Sequence, residues 1–317
     1  MTQRTASTRA CTLPRQGTLW RTDQLLDLGY NAREIRLLLD SGALVRLRYG
    51  CYIRASTWES QKPAARARQL ILAHSHGTLT TSTGTFAYSH TSAARLHGLF
   101  LWGIDHAIHV LQPGRPSSSR HGKDVRCHTR SFNESDIVLV NGLRTTSLER
   151  TVVDCCLMLT YQKALVILDH ALRLGADMHK IVSMAACLDG RKGIRTLRKA
   201  LLHADPRSES AGETLTRELI TKLRLPPPAL QVEVESRAGR HRLDFAWKKQ
   251  KLALEFDGRT KYFDYGDTDE ALFQERRREK ALMEEGWRFI RIEWRDLFRE
   301  QEFKSRILQA LAHDARS

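Results

Sequence analysis

Along the chain the spacing of apolar positions shifts repeatedly between helical and strand periods, and each shift outlines an element. Thr22-Asp23 predicts the cap of a short helix, Gln24 to Leu28, closed by Gly29. Asn31 predicts the cap of a second helix, Ala32 to Leu39. Ile35, Leu38 and Leu39 share one face of it and Arg33 and Arg36 another, and Gly42 ends it. The run Leu44 to Arg54 alternates and turns at Tyr49-Gly50, which predicts two short strands carrying Arg46, Arg48 and Arg54.

Helix, turn, helix and then a basic hairpin is the outline of a winged helix-turn-helix, assigned here to residues 16–60. In that arrangement Arg33 and Arg36 approach a groove of duplex DNA while Arg46, Arg48 and Arg54 meet phosphates. A small helical module for protein contacts has the same outline. Residues 1–15 read as a disordered basic tail.

Residues 61–205 read as a mixed α/β central region. Helices are predicted at Ala64–Ser75, Ser89–Gly98, Ser147–Met158, Tyr161–Leu174 and Met178–Leu188, and strands at Ala107–Leu111, Val125–His128 and Ile137–Val140. Gln112 to Gly122, rich in Pro, Gly and Ser, reads as a mobile loop. The histidine pairs His90/His97 and His106/His109 lack zinc-site spacing and read as ordinary histidines. Gly190-Arg-Lys-Gly193 is too short for a phosphate-binding P-loop.

A polar linker over 203–210 precedes the last domain, 206–317. Ser210 and Glu213 stand at capping-box spacing and open a helix to Leu223, stopped by Pro226-Pro-Pro228. Strands are predicted at Leu230–Val234, Leu243–Trp247 and Lys251–Asp257. A charged helix follows at Thr268–Glu285, closed by Gly286, then a strand at Trp287–Ile292 and a helix at Gln301–Ala312. The order α-β-β-β-α-β-α fits a sheet with helices packed on it, so the whole chain is expected to be an α+β, α/β multidomain protein.

This last domain also carries the candidate chemistry. Asp244 lies among Leu243, Phe245 and Trp247, and strand alternation puts Glu255 and Asp257 on one face with Phe256 and Leu254 on the other. Carboxylates gathered in an apolar setting are costly unless a cation compensates them, which points to a divalent-metal site. Asp257-Gly258 after a strand is equally a turn signature. Hard oxygen ligands without histidine or thiolate favour Mg²⁺ or Mn²⁺.

Charge adds a partner. The chain has 317 residues, 51 Lys plus Arg against 36 Asp plus Glu, a net charge of +15 and a pI near 9.9. That balance favours a polyanion, most simply double-stranded DNA, although a generally basic proteome gives the same balance. Six scattered cysteines without a Cys-x-x-Cys exclude zinc-finger spacing and read as reduced thiols, and Met1 to Pro14 has no apolar core of a secretory signal. The apolar stretch Val152 to Leu174 is interrupted by Asp154, Lys163, Asp169 and Arg173, so it reads as buried helix and not as a membrane span. A cytoplasmic protein without membrane contact is expected.

Several of these segments resemble known families. Glu213, Leu-Asp244-Phe, Glu255-Phe-Asp257-Gly258, Glu275-Arg-Arg-Arg-Glu279 and Gly286-Trp-Arg-Phe-Ile-Arg-Ile, in this order, resemble the very-short-patch-repair branch of the PD-(D/E)XK nuclease superfamily. The resemblance implies a restriction-endonuclease-like domain in which Asp244, Glu255 and Glu213 hold Mg²⁺, Asp257 ligates or orients water, and phosphodiester hydrolysis follows. Its acidic-x-Lys pattern meets Asp257 at the lysine position here, with Lys261 four residues on. Arg276, Arg277 and Arg278 would meet phosphate or form a solvated helix face. Thr22-Asp-Gln-Leu-Leu and Gly42-Ala-Leu-Val-Arg-Leu-Arg-Tyr-Gly-Cys-Tyr, with Ser89 to Gly98, are similar to AbiEi-type antitoxins. That similarity implies an autoregulatory repressor and a nucleotidyltransferase-type toxin as partner. Three readings result: a metal-dependent DNA endonuclease, an antitoxin-like regulator, and an inactive nuclease-like platform on DNA.

Overall fold

The computed structural model describes residues 19–79, 86–114, 122–130, 132–258 and 277–312. The expected N-terminal tail, residues 115–121 of the predicted loop, and Lys261, Glu275 and Arg276 lie outside the described residues. The chain is a mixed α/β protein with several sheets, and it groups into two compact units. One comprises residues 1–98 and 104–151, the other residues 99–103 and 152–317.

The first unit begins with β1 (Leu19–Arg21), α1 (Thr22–Asp27) and α2 (Ala32–Asp40), followed by β2 (Leu44–Arg48) and β3 (Cys51–Arg54). These strands form an antiparallel sheet in the order β1-β3-β2. Asn31 caps α2 as expected: its side chain accepts from the Glu34 N–H at 3.0 Å, and the Glu34 carboxylate accepts from the Asn31 N–H at 2.8 Å. At α1 the expectation is corrected, because Thr22 is already helical. The Gln24 side chain, not Thr22 or Asp23, takes the Arg21 N–H at 2.9 Å. Trp20, Leu25, Ile35, Leu38, Leu44 and Tyr52 form the core beneath the helices.

The unit continues through α3 (Ala55–Ser60) and α4 (Pro63–Leu79). Next come β4 (Ala87–Tyr88), α5 (His90–Leu96), β5 (Ile108–Leu111), β6 (Val125–His128), β7 (Ile137–Val140) and β8 (Leu143–Thr146). The strands make a mixed sheet, β6-β5-β4-β8-β7, with β5–β6 and β4–β8 parallel. Ile71, Tyr88, Leu96, Ile108 and Val110 fill the space between this sheet and its helices. β1, β4 and β8 escape the sequence reading; β1 and β4, three and two residues long, are too short to display a period.

The boundary between the units falls within α6 (Leu148–Met158). The second unit then carries α7 (Tyr161–Arg173), α8 (Met178–Ala186) and α9 (Ile194–His203). α9 was not anticipated. Gly193 precedes it at φ +88°, and a Cβ there would lie 1.9 Å from the Leu157 carbonyl oxygen, so this glycine permits a close helix approach and marks no phosphate site.

The predicted order of the last domain is observed as α10 (Ala211–Lys222), β9 (Ala229–Ser236), β10 (Gly239–Trp247), β11 (Leu252–Phe256), α11 (described over 277–284), β12 (Arg288–Ile292) and α12 (Glu300–Ala312). The sheet order is β12-β11-β10-β9; β9, β10 and β11 run antiparallel and β12 parallel to β11. Leu215, Leu219, Phe245, Leu254, Phe256 and Ile307 are among the buried side chains that join α10 and α12 to this sheet. Among the described residues no helix is long and apolar enough to cross a membrane.

Candidate functional site

The sheet of the second unit sets two of the predicted carboxylates, Asp244 and Glu255, opposite one another; among the described residues neither Glu213 nor Asp257 closes a three-ligand group with them. Phe245 pairs with Leu254, so one step along the same antiparallel register Asp244 stands across from Glu255 on a shared face. The pairs Leu243–Val232 and Phe245–Leu230 likewise set Gln231 across from Asp244, and Glu255 pairs with Arg291. One rung of the sheet therefore reads Gln231, Asp244, Glu255, Arg291.

Each member is fixed by a partner. The Asp244 carboxylate accepts from the Phe256 N–H at 3.1 Å. Arg291 donates to Glu279 at 2.8 Å and lies 3.8 Å from the Glu255 carboxylate, so its charge is shared between two acids. Asp257 follows β11, and its N–H donates to the Ile292 carbonyl at 2.8 Å. The three acids Asp244, Glu255 and Asp257 are all half-buried, neither dissolved in water nor sealed from it.

Glu213 reaches the row through a neighbour. Ser210 caps α10 by accepting from the Glu213 N–H at 3.1 Å, as its spacing predicts. The Glu213 side chain, 3% exposed, accepts from the Glu209 N–H at 2.8 Å and from Gln231 Nε2 at 2.9 Å. Gln231 sits at φ +50° inside a strand, a backbone state few side chains adopt, and this is the residue whose amide meets Glu213. Gly212 lets α10 approach closely: a Cβ there would fall 2.0 Å from the Phe256 ring. Sequence reasoning missed Gln231 and Arg291. The parallel register that sets Arg291 beside Glu255 comes only from folding, and nothing in the sequence announces the positive φ of Gln231.

On the first unit, Arg33 and Arg36 are exposed on α2, with Arg36 3.9 Å from Asp40 in a solvated pair. Such a pair contributes little and leaves the guanidinium accessible. Arg46 is exposed on β2 and Arg54 half-buried at the end of β3. Arg48 is bonded to Asp124, so it does not stand with the others as a spare cation. Arg277 is exposed on α11.

A cavity of about 440 Å³ lies elsewhere in the second unit, lined by Tyr161, Lys199, His203, Arg217, Glu218 and Lys222 among others. It does not include the carboxylate rung. Lys199 lies over the Tyr161 ring at 3.8 Å, and Lys222 is bonded to Glu300, so two of its cations already have partners.

The histidines are arranged differently from the pairs considered in the sequence. His97 donates from Nε2 to the Thr146 carbonyl at 2.8 Å. His90 and His109 are instead joined by His128, and the three could offer nitrogen ligands to one ion.

No family model matches the chain. It is similar to two uncharacterized proteins of Mycobacterium tuberculosis, MT2308 of strain CDC 1551 / Oshkosh and Rv2248 of strain H37Rv. Each is 29% identical over 274 residues, covering 84% of this chain and 92% of the relative. Among solved structures, the crystal structure of the RV2827C protein from Mycobacterium tuberculosis aligns with a TM-score of 0.38 and 14% identity, over 69% of this chain and 84% of that one.

Proposed function

We propose that the rung centred on Asp244 and Glu255 is the active site of a divalent-metal-dependent DNA endonuclease of the PD-(D/E)XK type. A winged helix-turn-helix, residues 16–60, would bring it to duplex DNA. The observation that carries the reading is the placement of Asp244 opposite Glu255, on one face of a mixed sheet, in the first rung past their last paired residues. Two adjacent half-buried carboxylates repel one another, and the single described guanidinium on their rung is shared with Glu279.

Asp244 and Glu255 offer two oxygen donors of the kind a hard divalent cation takes. Asp244 and Glu255 would hold Mg²⁺ or Mn²⁺, with Asp257 two residues beyond Glu255 on the same strand direction. Held by Asp244 and Glu255, such an ion would supply polarisation of a phosphodiester and a water of lowered pKa. The protein's own part is orientation. The Phe256 N–H fixes the Asp244 carboxylate, and Glu213, buried and hydrogen-bonded to Gln231, holds the rung to α10 as a positioning residue. Arg291 supplies positive charge on the rung where the family pattern has lysine at the Asp257 position.

Exposed Arg33, Arg36 and Arg46 support DNA contact by the N-terminal helices and hairpin. They equally support an antitoxin-like regulator that binds its own promoter and a nucleotidyltransferase-type toxin. Asp257 in the lysine position supports an inactive platform on DNA. Cleavage separates the three. Supercoiled and mismatched duplexes are incubated with the full chain in Mg²⁺, Mn²⁺ or EDTA, alongside Asp244→Asn. Metal-dependent nicking abolished in the variant supports the nuclease. Binding without nicking in any divalent metal transfers the reading to a regulator or platform.

A further inference from the structure

The first unit holds a second cluster of metal-ligating side chains, unrelated to the carboxylate rung. His90 opens α5, His109 lies on β5 and His128 ends β6. In the parallel register of β5 and β6, Leu111 pairs with His128 and His109 with Arg126, so His109 and His128 are diagonal neighbours on one face. His109 Nδ1 lies 2.9 Å from His128 Nε2, and the His90 ring stacks on His128 with centroids 3.6 Å apart. One ring nitrogen from each of the three lies within 4.8 Å of the other two.

The surrounding structure holds the cluster in place. The Ser89 N–H donates to the His109 carbonyl at 3.1 Å, and the His109 N–H donates to Ser92 Oγ at 2.8 Å, so the start of α5 is tied to β5 on both sides of His90. His90 occupies φ +48°, a left-handed backbone state that non-glycine residues seldom adopt. His90 and His109 are buried, and His109 Nε2 has no hydrogen-bond partner among the described residues. Three stacked imidazoles with a bare buried nitrogen make a poor apolar core.

We propose that His90, His109 and His128 form a three-histidine site for a borderline transition-metal ion, best suited to Zn²⁺. Three imidazole nitrogens without an oxygen donor favour Zn²⁺ over Mg²⁺ or Mn²⁺, and three protein ligands leave a fourth position for an exogenous group. The His90 and His128 planes are 16° from parallel, and ligation requires one ring to turn about its χ2 so that the lone pairs converge. The site would fasten α5 to β5 and β6, three elements that no local sequence spacing connects.

The test uses the full chain, stripped of metal and titrated with Zn²⁺, and with Co²⁺ as a spectroscopic stand-in. Wild type and Asp244→Asn/Glu255→Gln are expected to bind one ion per chain at this site, with the visible absorption of low-coordinate Co²⁺. His128→Asn and His90→Gln are expected to lose that absorption and at least about 100-fold in Zn²⁺ affinity, while His97→Gln keeps both. Far-ultraviolet circular dichroism in EDTA identifies any variant that fails to fold. No Zn²⁺ binding by wild type, or binding unchanged in both folded histidine variants, overturns the proposal. Binding lost in the Asp244→Asn/Glu255→Gln chain instead assigns the ion to the carboxylates and equally overturns it.

Discussion

Asp244 reaches from β10 to the backbone of β11, where its carboxylate accepts the N–H of Phe256 at 3.1 Å. The bond sets the orientation of the first acid of the rung, and it does so with an atom that asparagine also possesses. Asp244→Asn is therefore expected to stay within about 1 kcal/mol of wild-type stability. Asp244→Ala leaves the N–H of the buried Phe256 without an acceptor and is expected to lose about 1–3 kcal/mol. Urea unfolding monitored by tryptophan fluorescence measures both. Equal losses for the two variants would mean that the hydrogen bond does not anchor the side chain.

Gly212→Ala reverses the usual sign of a glycine replacement in a helix. Alanine ordinarily stabilises a helix interior by about 1 kcal/mol. Here its methyl group would enter the Phe256 ring, 2.0 Å from the nearest ring carbon. The expected result is a net destabilisation of about 1–3 kcal/mol from overpacking. Because α10 carries Glu213, a displacement of that helix should also lower any activity of the rung more than an equally destabilising change on α12.

His170 makes the second unit sensitive to acid. Its ring stacks on Phe100 with centroids 3.6 Å apart, and its Nδ1 accepts the Phe100 N–H at 2.9 Å, a bond that requires the neutral ring. Burial, then Arg173, pushes the His170 pKa down to about 4. The unfolded chain, with an ordinary pKa near 6.5, binds more protons than the folded one between those values. Stability is thus fully present above about pH 6.5 and falls as pH drops toward about 4. Thermal melting across that window should show a shallower fall in His170→Gln than in wild type, whatever the other histidines contribute. An unchanged slope would contradict it.

DNA affinity should report the two arginines of α2. Each phosphate contact contributes about 0.9 to the slope of log affinity against log salt, so Arg33→Ala with Arg36→Ala should reduce that slope by about two if both meet phosphates. Arg48→Ala is expected to matter less for DNA, because its guanidinium is already bonded to Asp124. Fluorescence anisotropy on a duplex over a range of salt concentrations distinguishes them. A loss from Arg48→Ala with none from the α2 pair would show that the hairpin, and not α2, carries the contact.

Much of this architecture is legible in the chain because its elements are long or punctuated. Asn31, Gly42, Ser210 and Gly286 stand where helices begin or end, and the alternation around Asp244 and Glu255 places them in strands. The rung itself is only half legible. Alternation gives the face of each acid, whereas the register that sets Asp244 against Glu255 and Arg291 against Glu255 comes from folding. Gln231 has no signature, since its positive φ depends on the strand pairing around it. The histidine cluster is invisible for a similar reason. Its members are 19 residues apart at each step, and parallel pairing of β5 with β6 brings them together.

Joint coordination of a hard divalent ion by Asp244 and Glu255 is open to a direct measurement, Mn²⁺ binding followed by electron paramagnetic resonance. Mn²⁺ prefers oxygen donors, so it reports the carboxylate rung in preference to the three histidines. The full chain is expected to bind Mn²⁺, and Asp244→Asn and Glu255→Gln are each expected to lose most of that affinity while remaining folded. Binding retained in both variants, or none in wild type, would contradict it.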